Sequence, residues 1–154
     1  MSSKPTFTDP WYSKPGFVYF IGAGDPLKAI KIGVTLATGF TNRLRHHQSS
    51  NHEPLRVLGV IDFTKPGASM READKLEQQL HKQFSAHQRF QPFWVGCEWF
   101  NPHKDILEYI RKNCVSCSSL RLLECVAKLS VGLAIEAQPS AAADGPDLAA
   151  RRRV

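Results

Sequence analysis

The chain lacks what a membrane or secreted protein needs. Its 154 residues hold no run approaching the ~18 apolar residues that span a bilayer. The opening Met-Ser-Ser-Lys-Pro has no apolar core of the secretory kind. A soluble, cytoplasmic protein is therefore expected. Cysteine is sparse, with only Cys97, Cys114, Cys117 and Cys125. In a reducing compartment these read as thiols rather than a disulfide framework. Cys114-Val-Ser-Cys117 has metal-ligand spacing, but no second spaced pair accompanies it, which leaves only Cys97, Cys125 and His103 to complete a zinc site. A zinc-stabilised interaction module is the alternative that spacing keeps open. Acidic residues are also short, 14 against 20 Lys and Arg, giving a net charge of +6 and favouring an anionic partner. Internal repeats are absent.

The positive charge sits in the front of the chain. Residues 1–113 carry 15 Lys and Arg against 10 Asp and Glu, and all six histidines. The expected organisation is an irregular lead-in over 1–15, one folded domain over 16–113, a possible extra helix over 114–137 and a disordered, basic-ended tail over 138–154. That helix centres on Leu120–Ile135, and Arg151, Arg152 and Arg153 end the tail.

Within the domain, Phe17–Ile21 and Ile30–Val34 read as strands by their aromatic and β-branched content, joined by the turn residues Gly22 to Pro26. Period-2 alternation puts Tyr19 with Phe17 and Ile21 on one face, and Val18 and Phe20 on the other. In the second strand it puts Lys31 and Gly33 opposite Ile30, Ile32 and Val34, so Lys31 is expected on a polar side. A helix follows with Thr41 or Asn42 as its cap, carrying Arg43 and His47 on one face. Leu55–Asp62 is a third strand. Ser69 and Glu72 form a capping box for a long helix whose buried stripe is Ala73, Leu76, Leu80 and Phe84. Glu77 and His81 lie on a neighbouring stripe at the edge of the core. Phe93–Phe100 reads as a short strand, with Phe93, Trp94, Trp99 and Phe100 as core aromatics. The last helix is expected to be capped by Asn101, with Pro102 at its first position and Ile106, Leu107 and Ile110 on its apolar face. The order β-β-α-β-α-β-α makes an α+β domain with a small antiparallel or mixed sheet flanked by helices.

An aromatic hydroxyl, an amine, a guanidinium and a carboxylate occur in that order at Tyr19, Lys31, Arg43 and Glu77. Together they suit phosphodiester hydrolysis, in which a carboxylate holds a divalent metal, cations neutralise phosphate and a phenol or amine handles a proton. Each residue also has a plainer reading: a satisfied core tyrosine, solvated arginines, a surface i,i+4 pair.

Gly16-Phe-Val-Tyr19, Lys31-Ile-Gly-Val-Thr35, Arg43-Leu44, Glu77-Gln-Gln-Leu-His81 and Glu98-Trp-Phe100 together resemble the GIY-YIG nuclease superfamily, in its small phage and bacterial branch. The resemblance spans about residues 16–112. It implies a metal-dependent endonuclease acting on DNA with Mg²⁺ or Mn²⁺ as cofactor, or an inactive nucleic-acid-binding module of the same fold. It implies Glu77 as the metal ligand, Arg43 as the phosphate contact, Tyr19 as the group that activates water, and His47 near the leaving group. Lys31 stands where the second signature tyrosine is usual, either taking over the proton work or facing phosphate as a cation. Arg43, Arg45, His46 and Arg56 are the expected DNA contacts. Glu98 is either a second acidic contributor or part of a structural plug.

Overall fold

The computed structural model describes residues 9–90 and 98–120. Seven main elements follow the expected order: β1 (Gly16–Ala23), β2 (Ala29–Leu36), α1 (Phe40–Ser49), β3 (Leu55–Phe63), α2 (Met70–Gln83), β4 (Trp99–Phe100) and α3 (Lys104–Asn113). The fold is α+β, with four strands in the order β3-β1-β2-β4 and every neighbouring pair antiparallel. No helix among the described residues is long and apolar enough to cross a membrane.

All eight residues of β1 are buried. A strand covered on both faces reads as a continuous apolar run rather than an alternation, and Phe17 to Ile21 is such a run. On one face Val18, Phe20, Ile30 and Ile32 pack with Met70, Ala73 and Leu80 of α2, Phe84 just beyond it, and Ile106 and Ile110 of α3. On the other, Phe17, Tyr19 and Ile21 pack with Phe40 and Leu44 of α1, Val60 and Cys117. The alternation of faces is as the sequence predicts, but the Lys31 side is not simply polar. It carries a second apolar core, and Lys31 itself is only 6% exposed. The β1–β2 turn needs Gly24, whose φ of 87° suits a residue without a Cβ.

Three local expectations require correction. Helix α1 starts at Phe40 after a 3₁₀ turn over Ala37–Gly39, and Gly39 precedes it with no side-chain cap, in place of Thr41 or Asn42. The buried Phe40 ring fixes that start. Helix α3 starts at Lys104, and His103, not Asn101, caps it through Nδ1, which accepts from the Asp105 amide. The Asn101 side-chain oxygen Oδ1 instead accepts from the Arg89 guanidinium at 3.3 Å. Leu107 faces outward, 41% exposed, while Ile106 and Ile110 are buried. By contrast Ser69 caps α2 as expected, accepting from the Arg71 amide and bonding Glu72 at 2.5 Å.

The lead-in is tied down in part. Pro10–Ser13 is a 3₁₀ turn, and the Lys14 and Pro15 carbonyls accept from the Met70 and Ala37 amides. At the other end Val115 exchanges both backbone hydrogen bonds with Val60. Cys114 packs against the core of one sheet face and Cys117 lies in the core of the other. The two cysteines therefore do not form the ligand pair their spacing suggested. Most of the Phe93–Phe100 strand, Trp94, Cys97, Cys125, the Leu120–Ile135 helix beyond its first residue and the 138–154 tail lie outside the described residues.

The corrected register of α3 is directly testable. Ile106→Ala should cost about 2–5 kcal/mol in urea unfolding, and Leu107→Ala within about 0.5 kcal/mol. The reverse order would put the helix back in the register expected from Asn101.

Candidate functional site

Polar residues gather at the outer edge of β2. There Phe100 and Trp99 of β4 pair with Ile30 and Lys31. One step further the Ile32 amide donates to the Glu98 carbonyl, and the Ile32 carbonyl accepts from His81 Nε2 at 3.0 Å. A carbonyl only accepts, so this ring nitrogen carries the proton. It lies 3.4 Å from Glu77 Oε1 as well. His81 thus fastens α2 to the strand edge and holds Glu77 beside it.

The opposite face reaches the same edge through Tyr19. In the β1–β2 register Tyr19 stands across from Gly33 and Ile21 across from Lys31, so Tyr19 and Lys31 share a face as diagonal neighbours. The Tyr19 ring lies over Gly33: a Cβ at that position would come within 2.5 Å of the hydroxyl oxygen and 2.7 Å of Cζ. Glycine is needed there for close approach. The ring is 2% exposed, yet its hydroxyl bonds His47 Nε2 of α1 at 3.0 Å. Burial raises the Tyr19 hydroxyl well above the ordinary phenol range, against the pull of Arg43 and with the help of Glu98 and Glu77. His47 is lowered to about 4, by burial first and then by Lys31 and Arg43. At neutral pH the phenol and the imidazole are both uncharged, and the imidazole tautomer sets which of them donates.

Lys31 forms an ion pair with Glu98. Burial raises the Glu98 carboxyl, but the hydrogen bond and charge of Lys31, with His81 and His47, outweigh it and hold the group below the usual range. Glu77 goes the other way, to about 7. Burial comes first, then the like charges of Glu98 and Asp74, with Lys31 opposing. Although α2 covers the sheet face opposite Tyr19, the Glu77 charge acts on the Tyr19 hydroxyl and that of Glu98 acts on Tyr19, His47 and Glu77. Groups from the two faces thus act on one another around the outer edge of β2.

Of the sequence-derived candidates, Tyr19, Lys31, Arg43, His47 and Glu77 fall in this one electrostatic neighbourhood. His46 lines a groove beside Arg43. Arg45 is exposed two residues from Arg43 and from His47, so it points around the other side of α1. Arg56 is paired with Gly22 at the far end of β3, on the face away from Tyr19, and does not join the group. The Lys31–Glu98 pair was not legible beforehand, because its partners are 67 residues apart and no local pattern links them.

Glu77 is also the residue suited to a cation. A carboxyl that burial and two neighbouring carboxylates push upward is relieved by a positive ion, and Mg²⁺ commonly takes one or two protein carboxylates and keeps its other positions for water and phosphate. His81 is not a ligand through Nε2, whose proton is engaged. Elsewhere among the described residues His87, His103 and Asp105 bring three potential ligand atoms within 4.8 Å of one another. The two imidazoles stack at 3.9 Å with 15° between their planes, so their lone pairs run side by side instead of converging.

Fold and site thus define an α+β domain with a cationic, imidazole- and carboxylate-bearing cluster at the outer edge of β2. By sequence the chain belongs to the T5orf172 domain family, which matches residues 16–115. That membership is compatible with a nucleic-acid-related function and does not specify one. No curated protein and no solved structure matches the chain. The family match corrects the GIY-YIG resemblance: T5orf172 is a different family, and nothing found assigns the chain to GIY-YIG itself. The resemblance rested on short pieces within strands and helices, and Lys31 already broke the second of its two tripeptides.

Two titrations test this description. Folding raises the Glu77 carboxyl, so its contribution to stability is full below the unfolded value near 4.5 and is lost as pH rises through about 7. Glu77→Gln should therefore gain about 1–3 kcal/mol over the wild type at pH 8 and little at pH 5, measured by denaturant unfolding. An equal effect at both pH values would mean an ordinary, solvated carboxylate. His47 is depressed, so its contribution is present above the ordinary imidazole value and falls away as pH drops toward 4. Its NMR ring signals should stay in the neutral position at pH 6 and move only near pH 4. A midpoint above 6 would contradict the buried, neutral imidazole.

Proposed function

We propose that this domain is a metal-dependent endonuclease hydrolysing DNA phosphodiester bonds at the outer edge of β2. The observation that carries the proposal is the meeting, at one edge, of a hydrogen-bonded Tyr19–His47 pair, the Arg43 guanidinium and a Glu77 carboxyl raised by burial and then by neighbouring negative charge.

In this reading Glu77 holds a magnesium or manganese ion, and His81 keeps its carboxylate oriented toward the edge. The ion supplies positive charge against the phosphate oxygens and against charge that grows during attack. Arg43 offers a planar fork to the same phosphate. A water oxygen bonds to phosphorus, the ester P–O bond breaks, and the leaving oxygen takes a proton from solvent to depart as an alcohol. The water proton passes to the Tyr19 hydroxyl oxygen as Tyr19 gives its own proton to His47 Nε2. A bound phosphate offsets the charges of Lys31 and Arg43, two of the causes that depress His47, so the imidazole becomes a better proton acceptor once substrate is in place. Lys31, paired with Glu98, fixes the wall of the site and does not need to act as a base.

That ion pair also favours a second reading. With Lys31 committed to Glu98, the domain binds nucleic acid without cutting it. Cleavage and binding assays separate the two. Under the nuclease reading the protein nicks duplex, branched or single-stranded DNA with Mg²⁺ or Mn²⁺, and Glu77→Ala removes at least ~100-fold of that activity, as expected where charge stabilisation is lost. If no metal condition gives nicking, and salt-sensitive binding is the same in the wild type and Glu77→Ala, the binding reading stands instead. About four phosphate contacts would then give a log–log salt slope near −4. A slope near zero would remove nucleic acid from both readings.

A further inference from the structure

Beside the cluster a groove of about 270 Å³ runs along the outer edge of β2. Trp11, from the 3₁₀ turn of the lead-in, walls it on one side. Asn42, Arg43 and His46 of α1 wall it on the other, with Val34 and Thr35 along its floor. Trp11 lies outside the 16–115 stretch that the family covers, so this wall is supplied by the chain's own lead-in.

Among the described residues the groove combines an aromatic wall, a side-chain amide and a guanidinium shared with the phosphate site, with no carboxylate. Indole stacks on a base of any sequence, and amide groups pair with its edge.

We propose that this groove is a subsite for one unstacked nucleobase next to the phosphate held at Arg43, with the Trp11 indole as its stacking platform. The proposal rests on the nuclease reading only for the position of that phosphate. It requires the strand to be unpaired at this point, so single-stranded or frayed DNA is the form the groove accepts. Stacking supplies affinity and little sequence preference, whereas the Asn42 side-chain amide reads the edge of the base.

The test compares two substitutions in the full chain. Trp11→Phe keeps an aromatic face, and Trp11→Leu keeps apolar bulk for packing against the core but removes the face. Binding of a fluorescein-labelled single-stranded 12-mer and of a blunt duplex is followed by anisotropy in EDTA, where no cleavage occurs. Trp11→Leu should weaken single-strand binding on the order of tenfold, with an unchanged salt slope, because stacking and not a phosphate contact is lost. Trp11→Phe should stay within about threefold of the wild type, and duplex binding should change by less than about twofold in both, as the platform serves only an unpaired base. Equal single-strand affinities for wild type and Trp11→Leu would overturn the proposal. So would an equal loss on duplex, or no single-strand binding at all. Loss of metal-dependent nicking in the separate cleavage assay would overturn the nuclease reading and leave this result standing.

Discussion

Everything at the site depends on polar groups from both sheet layers meeting at the outer edge of β2. Strand β1 is buried on both faces, so the chain must cover the sheet twice, with α2 and α3 on one side and α1 on the other. Side chains from opposite faces of a sheet normally never meet. Here they meet around one strand edge. Ile32 bonds outward to Glu98 and His81. Gly33 leaves room for the Tyr19 ring. Glu77 arrives around the same edge from α2.

The electrostatics follow from that geometry. The edge is dry enough to keep Tyr19 and His47 neutral and to raise Glu77, but it also carries Lys31 and Arg43. Placing these groups together is costly to the folded domain, since a raised carboxyl and a depressed imidazole each oppose stability over part of the pH range. Perturbed groups of this sort gather where chemistry is done, although structural ion-pair networks perturb them too. The Lys31–Glu98 pair is such a network, and it sits in the wall of the cluster. Among the described residues Glu77 has no comparable cation: Lys31 opposes the upward push but does not cancel it.

Much of the fold was legible because it is written in short-range patterns. The Phe17–Ile21 run, the Ser69–Glu72 box and the spacing of Ala73, Leu80 and Phe84 each gave an element of the right kind. Period-2 alternation put Tyr19 and Lys31 on one face correctly. What it could not give was the second core on that face, although Phe40 and Leu44, four residues apart, are the signal that would have found it. The start of α3 was misplaced because Asn101 is engaged by Arg89, a contact visible only in three dimensions. Arg56 looked like one more cation for DNA until the β1–β3 register set it opposite Gly22, away from the edge. Residues within a few positions of one another were readable. Partners such as Lys31 and Glu98, brought together by the sheet, were not.

The central claim is that a hydrated divalent ion and a phosphate belong at the outer edge of β2, held by Glu77 and Arg43. The most direct test is an anomalous difference map from crystals of the protein soaked in Mn²⁺. A peak against the Glu77 carboxylate, next to Gly33 and Val34 and lost in Glu77→Gln crystals, is the result expected. A peak only at His87, His103 and Asp105, or a peak at the edge that survives Glu77→Gln, would contradict it.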